Sequence, residues 1–401
     1  MEDTYSLIPS GGVTSPKGFC AGAVAAGIKK KVSGALDLAV LSAGKPVAAA
    51  GLFTRNKVKA APVKVSEQRL IAGKACGIVV NSGCANAGAG EKQFHDAVTM
   101  TQLAATHLGL DPECMLVAST GVIGHHLPMD RISEGISRIE CSPDGGNDFA
   151  RAIMTTDTVF KEVAVKAGDY TIGGCAKGSG MIHPDMATML VFLTTDAPVE
   201  AGFLKQALKK AADVSFNMLT IDGDTSTNDS VFMFASGEAG GEIITGGSDG
   251  ADLFQQALDF VCIHLTKAIA RDGEGATKRI EVTVRGAASL EEARKAARTI
   301  ALSSLVKTAV HGADPNWGRV LAAAGRADVA LDPEKACLKF GDIRLFENGL
   351  PLPFDHKQVS AYLHNDEIVI NLDLNLGDGL ATAWGCDLSR EYVTINADYT
   401  T

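Results

Sequence analysis

The feature that most limits how this chain can fold is a glycine-rich loop that runs directly into an apolar strand, between Lys177 and Leu190. Glycine allows backbone angles that other residues resist, and Pro184 prevents a helix from continuing through the loop. The apolar run that follows predicts a buried strand whose first residue is Thr188. The sequence therefore places a hydroxyl group at the start of a strand, beside a backbone that a ligand can approach closely.

Two interpretations of Thr188 follow from its position. A β-branched residue is common in strands, so Thr188 can have a structural role alone. A threonine at the start of a strand is also suited to be a nucleophile, provided that a base stands close to its hydroxyl. Cleavage of the peptide bond before Thr188 would supply that base, because the new α-amino group belongs to the same residue.

The segments around Thr188 resemble the self-cleavage site of the ornithine acetyltransferase (glutamate N-acetyltransferase) family. The resemblance rests on Gly173–Ile182, with the sequence GGCAKGSGMI, and on Met186–Leu190, with the sequence MATML. It extends from Phe53–Asn56 to Asn396–Thr401 and so covers almost the whole chain. It implies that the chain cleaves itself between Ala187 and Thr188, giving fragments 1–187 and 188–401, with Thr188 as the nucleophile.

A second candidate for chemistry is the pair Thr120–Gly121, which follows a predicted strand at Leu116–Ala118. A hydroxyl next to an unobstructed backbone N–H is the chemistry of an oxyanion hole. Threonine and glycine are also common in plain turns at strand ends, so the residues alone favour a turn. The family resemblance implies the first role, in which Thr120 and Gly121 polarise the carbonyl under attack.

The resemblance also implies a set of substrate-binding residues spread along the chain: Thr155, Lys177, Thr188, Glu274, Asn396 and Thr401. Lys177 would bind an amino-acid carboxylate, and Glu274 would bind the side-chain ammonium of ornithine. Other interpretations stay open from the residues alone. A lysine in a glycine loop also occurs in phosphate-binding sites, although Lys-Gly-Ser is not the order of a Walker motif. The four charges between residues 271 and 278 are typical of a solvated loop.

Composition excludes several classes of partner. The formal net charge of -10 argues against nucleic acid and against an anionic membrane, since both attract a basic surface. No apolar run reaches the roughly 18 residues of a membrane span, and the acidic start of the chain is unlike a signal peptide. These observations predict a cytoplasmic protein that binds neither nucleic acid nor membrane.

Metal and disulfide chemistry have no support in the sequence. The nine cysteines contain no Cys-x-x-Cys pair, and the nine histidines contain no metal-binding spacing. The acidic loop Asp222–Asp229 departs from the calcium-binding EF-hand pattern at Thr227 and Met233, so a hydrogen-bonded turn network is expected there instead. We expect no metal and no organic cofactor.

Hydrophobic periodicity predicts the main secondary-structure elements. Helices are predicted over residues 91–108, 200–214, 252–270 and 290–302. A β-hairpin is predicted between residues 36 and 54, with Gly44 and Pro46 in its turn. The alternating residues from Glu391 predict a strand that ends at the C-terminus.

Together these observations predict an α+β protein. The resemblance implies a four-layer αββα sandwich like that of N-terminal-nucleophile hydrolases over residues 1–280, and a smaller C-terminal α/β unit over residues 281–401. It implies transfer of acetyl from N2-acetylornithine to glutamate, with acetyl-CoA as a further donor in some members, and a heterotetramer with two copies of each fragment. The alternatives are an amidase or aminopeptidase of related fold, in which water takes the acyl group, and an amino-acid-binding protein without catalysis.

Overall fold

A computed structural model describes residues 5–29, 34–183 and 189–398. Within these ranges the chain forms two β-sheets. The strands of the N-terminal sheet are β1 (Tyr5–Leu7), β2 (Cys20–Val24), β3 (Leu38–Phe53), β4 (Lys74–Cys84), β5 (Met115–Val122), β6 (Lys161–Ala167), β7 (Tyr170–Lys177), β8 (Leu190–Thr195) and β9 (Ser230–Ala235). The strands of the C-terminal sheet are β10 (Arg279–Ala287), β11 (Cys337–Phe340), β12 (Ile343–Glu347), β13 (Leu350–Pro351), β14 (Glu367–Asp373) and β15 (Gly379–Cys386).

The helices of the described residues are α1 (Ala61–Arg69), α2 (Lys92–Leu108), α3 (Met129–Ser137), α4 (Gly146–Ala152), α5 (Ala201–Val214), α6 (Ala251–Arg271), α7 (Leu290–Leu302), α8 (Ser304–His311), α9 (Trp317–Gly325), α10 (His356–Tyr362) and α11 (Arg390–Asp398). The predictions of α2, α5, α6 and α7 are confirmed to within about one residue at each end. Most of their apolar residues recur at helical spacing and are buried or partly buried, whereas Phe94, Val214 and Leu290 near the helix ends are exposed. No helix in this part of the chain is both long and apolar enough to span a membrane.

The N-terminal sheet bends so that its two halves face each other. Along the hydrogen-bonded path its order is β1-β6-β7-β8-β9-β3-β4-β5, and β2 pairs with the first half of β3. Leu41 and Ile78 from β3 and β4 share one buried cluster with Phe192 and Phe232 from β8 and β9. This cluster is the middle of a sandwich whose two β-layers are continuous through β3.

Helices cover both outer faces of the folded sheet. Val40 and Val79 on the outer face of β3 and β4 pack with residues of α1, α2 and α3. Val191 on the outer face of β8 packs with α5 and α6, for example with Leu204 and Leu258. The layers therefore follow the order α, β, β, α, and the predicted fold class is confirmed. Because both faces of β8 are buried, its first four residues, Leu190–Leu193, are all apolar instead of alternating with polar residues.

The C-terminal sheet has the order β13-β12-β11-β14-β10-β15. Ile280 and Val282 of β10 and Ala296 of α7 belong to the same buried cluster as the outer layer of the sandwich. The main chain of Leu219 also forms a bridge with Trp384 of β15. The predicted domain boundary at residue 280 falls inside β10, and the division into two units stays a prediction.

The predicted hairpin between residues 36 and 54 is wrong, because these residues form the single long strand β3. Its pairing with β4 shifts register between Ser42 and Val47. Gly44 and Pro46, the predicted turn residues, are exposed in this irregular segment. The strand lacks regular ladder hydrogen bonds there, so the missing N–H of proline has no cost. The glycine and proline therefore bend the strand without reversing its direction.

The predicted C-terminal strand is also wrong, because residues 390–398 form the helix α11. Tyr392 and Ile395 are the partly buried residues of this helix, and their spacing of three places them on one helical face. The β-branched residues Val393 and Thr394 face solvent. Tertiary contacts of the buried face outweigh the strand propensity of the exposed residues.

Candidate functional site

The candidate oxyanion hole lies at the end of β5. This strand runs parallel to β4, and the register places Gly121 opposite Gly83. Gly121 has a φ of 126°, and a Cβ atom there would lie 2.4 Å from the carbonyl carbon of Gly83. Only glycine fits this backbone and this close approach. The neighbouring Thr120 is buried, so its hydroxyl sits in a largely dry environment.

Lys177 brings a positive charge to Thr120. It is the last residue of β7 and is paired with Leu190, the first residue of β8. Its side chain is buried, and its Nζ donates a hydrogen bond to Thr120 Oγ1 at 3.3 Å. The entry to β8, the end of β7 and the end of β5 therefore meet at one place.

Asp157 holds two backbone segments at this place, one at Gly178 and one at Thr155. Its Oδ1 accepts the Gly178 N–H at 2.7 Å, and its Oδ2 accepts the Thr155 N–H at 3.0 Å. The Lys161 ammonium also donates to Oδ1 at 2.7 Å. Burial alone would raise the pKa of Asp157, but the charges of Lys161 and Lys177 and these hydrogen bonds lower it to about 2. Asp157 is therefore an anion at every physiological pH.

Lys161 is shared between two carboxylates. Its Nζ lies 2.7 Å from Asp157 Oδ1 and 2.6 Å from Asp272 Oδ2, and its side chain is buried. Asp272 also accepts hydrogen bonds from the Thr158 hydroxyl and the Thr158 N–H. An ion pair this deeply buried is stable only if its remaining polar atoms are also hydrogen-bonded, and these contacts meet that condition.

The glycine loop after β7 contacts the loop that carries Glu274. The Glu274 N–H donates to the Ser179 carbonyl at 2.9 Å, and the Ser179 hydroxyl donates to the Asp272 carbonyl at 2.7 Å. A Cβ on Gly180 would lie 2.3 Å from Glu274 Cδ, so the carboxyl group packs directly on the glycine. Asn396 of α11 then donates to Glu274 Oε2 at 2.9 Å.

The segment that precedes the predicted cleavage site is held by the Asp222 loop. Asp222 accepts the N–H groups of Met181 and Ile182 at 2.6 and 2.8 Å. The Thr225 hydroxyl donates to the His183 carbonyl at 2.7 Å. Within the loop, the Asp224 N–H donates to Asp222 Oδ1 at 3.2 Å and the Asn228 N–H donates to Ser226 Oγ at 3.2 Å, so the expected turn hydrogen bonds are present. The loop thus positions the last described residues before position 184.

The predicted site residues among the described ranges lie in one connected network. Thr120, the neighbour of Gly121, accepts a hydrogen bond from Lys177. Asp157 accepts the N–H groups of Thr155 and of Gly178, the residue that follows Lys177. Glu274 contacts Ser179 and Gly180, and Asn396 donates to Glu274. Ala187, Thr188 and Thr401 lie outside the described residues. The network combines an ammonium group, a hydroxyl, a carboxylate and an exposed carboxamide, a set that can bind an amino-acid ligand with several charges.

Sequence reasoning missed Asp157, Lys161 and Asp272. A signal for Lys161 exists, because Lys161, Val163 and Val165 are every second residue, as residues on one face of a strand are. A lysine in phase with buried apolar residues is itself buried, and a buried lysine needs an acidic partner. No comparable pattern marks Asp157 or Asp272, since both lie in loops.

Within residues 5–29, 34–183 and 189–398, no three His, Cys, Asp or Glu side chains group together as metal ligands would.

Comparison with known proteins gives a consistent result. Residues 20–401 match the family model described as the ArgJ family. The arginine biosynthesis bifunctional protein ArgJ of Dehalococcoides mccartyi (strain CBDB1) is 55% identical over 405 residues, which is 100% of each chain. The protein of the same name from Symbiobacterium thermophilum is 52% identical over 98% of this chain and 99% of that protein. The chain also matches a crystal structure of the Bacillus halodurans protein of that name, with 45% sequence identity and a TM-score of 0.51. The match covers 52% of this chain and 98% of the Bacillus halodurans chain.

Proposed function

Because the chain belongs to the ArgJ family, we propose that it acts in arginine biosynthesis as an acetyltransferase that moves acetyl from N2-acetylornithine to glutamate. The family predicted from the segment Gly173–Leu190 is thereby confirmed. Full-length relatives at more than half identity are named as arginine biosynthesis proteins. The observation that carries the proposed chemistry is the contact between Lys177 and Thr120. This contact lies at the entry to β8, and β8 begins at Leu190, two residues after Thr188 in sequence.

The proposed reaction proceeds in two halves. Thr188 Oγ attacks the acetyl carbonyl while its proton moves to the α-amino group of Thr188, and Thr120 and the Gly121 N–H stabilise the oxyanion. The amide C–N bond then breaks, ornithine leaves with the proton, and an acetyl ester remains on Thr188. The glutamate amine attacks this ester in the second half, so N-acetylglutamate leaves and the Thr188 hydroxyl is restored.

The substrate groups match the charges of the site. Lys177 would bind the α-carboxylate that ornithine and glutamate share. Glu274 would bind the side-chain ammonium that only ornithine carries, with Asn396 holding the Glu274 carboxyl in place. Thr155 and Thr401 complete the proposed set of substrate-binding residues.

The nucleophile requires self-cleavage between Ala187 and Thr188. The Thr188 hydroxyl would attack the Ala187 carbonyl, and water would open the resulting ester. The solved Bacillus halodurans chain supports this step, because almost all of it matches only about half of this chain. The Dehalococcoides mccartyi protein of the same name, in contrast, matches this chain over its whole length. Mass spectrometry of the purified protein should give the fragments 1–187 and 188–401, and Thr188→Ala should give one uncut chain.

Incubation with N2-acetylornithine alone tests the transfer itself. It should add one acetyl group to the fragment that begins at Thr188, and glutamate should then remove it as N-acetylglutamate. Release of free acetate at the same rate with and without glutamate would establish the hydrolase alternative. No acetyl adduct and no acetate would establish the binding protein.

Three further proposals concern donors, assembly and location. We propose acetyl-CoA as a second donor, which should acetylate Thr188 in the absence of N2-acetylornithine. The proposed assembly is a heterotetramer with two copies of each fragment, which sedimentation of the cleaved protein would measure. The proposed location is the cytoplasm, as the sequence predicts.

A further inference from the structure

We propose that Lys177 is a positioning residue that turns the Thr120 hydroxyl toward the reacting carbonyl, with Asp157 as its counter-charge. This inference rests on the proposed acetyl transfer, in which Thr120 donates to the oxyanion. It assigns Lys177 a role in the transition state, in addition to the proposed binding of a substrate carboxylate.

The donors and acceptors of the two side chains set the direction of the hydrogen bond between them. An ammonium group has donors only, whereas a threonine hydroxyl has one donor and two acceptor sites. Because Lys177 donates to Thr120 Oγ1 at 3.3 Å, the Thr120 proton points away from Lys177. That proton is then available for another acceptor. An uncharged amine at the same position could accept the Thr120 proton, and the hydroxyl would be lost as an oxyanion donor.

The role therefore requires that Lys177 keep its charge although it is buried. Burial lowers the pKa of Lys177, and the Lys161 ammonium lowers it further. Asp157 opposes this effect most strongly, followed by Asp229 and Glu274. Lys29 is a further positive charge near Lys177, and it too interacts with Asp157. Asp157 and Asp272 both contact the Lys161 ammonium, and Asp157 also interacts with the charge of Lys177.

Asp157 is well placed to hold Lys177 by geometry as well as by charge. It accepts the N–H of Gly178, the residue that follows Lys177, at 2.7 Å. Asp272 pairs with Lys161 at 2.6 Å and so offsets part of the Lys161 charge. The Asp157 carboxylate therefore holds the backbone directly beside Lys177.

A donor without a carboxylate separates positioning from substrate binding. We would measure acylation of the self-cleaved enzyme by p-nitrophenyl acetate, which carries an acetyl group and no α-carboxylate. Lys177→Met should slow this acylation by about 10²–10³, the effect of losing one oxyanion donor. Lys177→Arg, which keeps the charge and the donors, should restore most of the rate. A wild-type rate for Lys177→Met would overturn the proposal and leave Lys177 as a carboxylate ligand only.

A double-mutant cycle tests whether Lys177 acts through Thr120. The Thr120→Ala, Lys177→Met double variant should acylate about as fast as Thr120→Ala alone. Losses that multiply would overturn the proposal, since Lys177 would then act independently. Failure of the proposed function would give a different result. If Thr120 does not stabilise the oxyanion, Thr120→Ala alone should acylate at the wild-type rate.

The pH profile of acylation tests the counter-charge. Asp157→Asn removes the strongest opposing charge, so Lys177 loses its proton at lower pH and the rate should fall on the alkaline side of the profile. Asp196→Asn is the matched control, because Asp196 is buried, accepts two backbone N–H groups from Lys17 and Thr171, and lies near the opposite end of β7. The control should keep the wild-type profile. The same profile in Asp157→Asn and Asp196→Asn would overturn the role of Asp157.

Discussion

The side-chain amide of Asn396 donates a hydrogen bond to Glu274 Oε2 at 2.9 Å. This contact joins the C-terminal helix α11 to the loop after α6. The same two segments meet at Gly275, where a Cβ would lie 2.4 Å from the Tyr392 nitrogen, and at Ser389, whose hydroxyl donates to the Gly275 carbonyl at 2.6 Å. The segment from Ser389 through α11 therefore holds the Glu274 loop against the glycine loop.

We expect Glu274→Gln to weaken the use of N2-acetylornithine more than the use of glutamate. Only ornithine has a second ammonium group, and a charge-assisted pair with a carboxylate contributes roughly twice as much as a neutral hydrogen bond. Steady-state kinetics with each substrate varied in turn would measure both effects on kcat/KM. Glu391→Gln is the matched control, because Glu391 is exposed on α11. Equal losses for both substrates in Glu274→Gln would make Glu274 a structural residue.

Asp222→Ala should slow self-cleavage. Asp222 holds the N–H groups of Met181 and Ile182, so its loss frees the backbone that leads to the cleavage site. A misplacement of about 1 Å in a reacting group can cost about 10²-fold in rate. The fraction of uncut chain, followed by mass spectrometry after synthesis, would measure the effect.

The control for this prediction is Asp224→Ala, in an exposed residue of the same loop. It should cleave at close to the wild-type rate. Once Asp222→Ala has cleaved, its kcat for acetyl transfer should be close to that of the wild type, because Asp222 holds the segment before the cleavage site. Equal cleavage rates for the two variants would contradict the role given to Asp222.

The close approach of Gly121 to Gly83 in the oxyanion site requires glycine at position 121. A comparison of alanine variants at Gly121 and Gly124 tests this requirement. Gly121 and Gly124 both have positive φ, but a Cβ on Gly124 would meet no atom within 4 Å, whereas one on Gly121 would overlap Gly83. Alanine in the left-handed region costs about 1–2 kcal/mol, and overpacking adds about 1–3 kcal/mol. Gly121→Ala should therefore lower the free energy of unfolding clearly more than Gly124→Ala. Urea denaturation of both variants measures this difference, and equal losses would contradict the steric argument.

The sequence predicts this site well where a residue's chemistry is local. Thr120–Gly121 and Lys177 lie at strand ends, and strand ends are visible in the alternation of apolar runs and glycine. The contact between Lys177 and Thr120 is different, because 57 positions separate the two residues along the chain. The bend of the sheet along the path β7-β8-β9-β3-β4-β5 brings the ends of β7 and β5 together, and sheet order is not a local property of the sequence.

The two wrong secondary-structure predictions have the same origin. Gly44 and Pro46 predict a turn, yet the long pairing of β3 with β4 and β9 continues past them. The residues from Glu391 onward predict a strand, yet contacts of Tyr392 with the Glu274 loop favour a helix. In both places distant partners decide the backbone conformation, and no window of the sequence contains those partners.

Asp157 should make the stability of the protein depend on acid pH in a specific way. Its folded pKa of about 2 lies below the ordinary value of 3.8, because Lys161, Lys177 and its hydrogen bonds outweigh the effect of burial. A carboxyl group whose folded pKa is lowered stabilises the protein above its unfolded pKa, and this stabilisation is lost as pH falls through the folded pKa. The affected window is therefore pH 4 to pH 2.

Asp157→Asn removes this titration, so its free energy of unfolding should fall less on acidification than that of the wild type. Between pH 5 and pH 3 the difference between the two falls should be about 1 kcal/mol, from the linkage of one such group. The variant should also be less stable at pH 7, because breaking one partner of a buried ion pair leaves the Lys161 charge poorly compensated. Urea unfolding at a series of pH values measures both effects on the same samples. If Asp157→Asn and the wild type lose the same free energy between pH 5 and pH 3, the Asp157 carboxyl does not titrate as its contacts with Lys161 and Gly178 require.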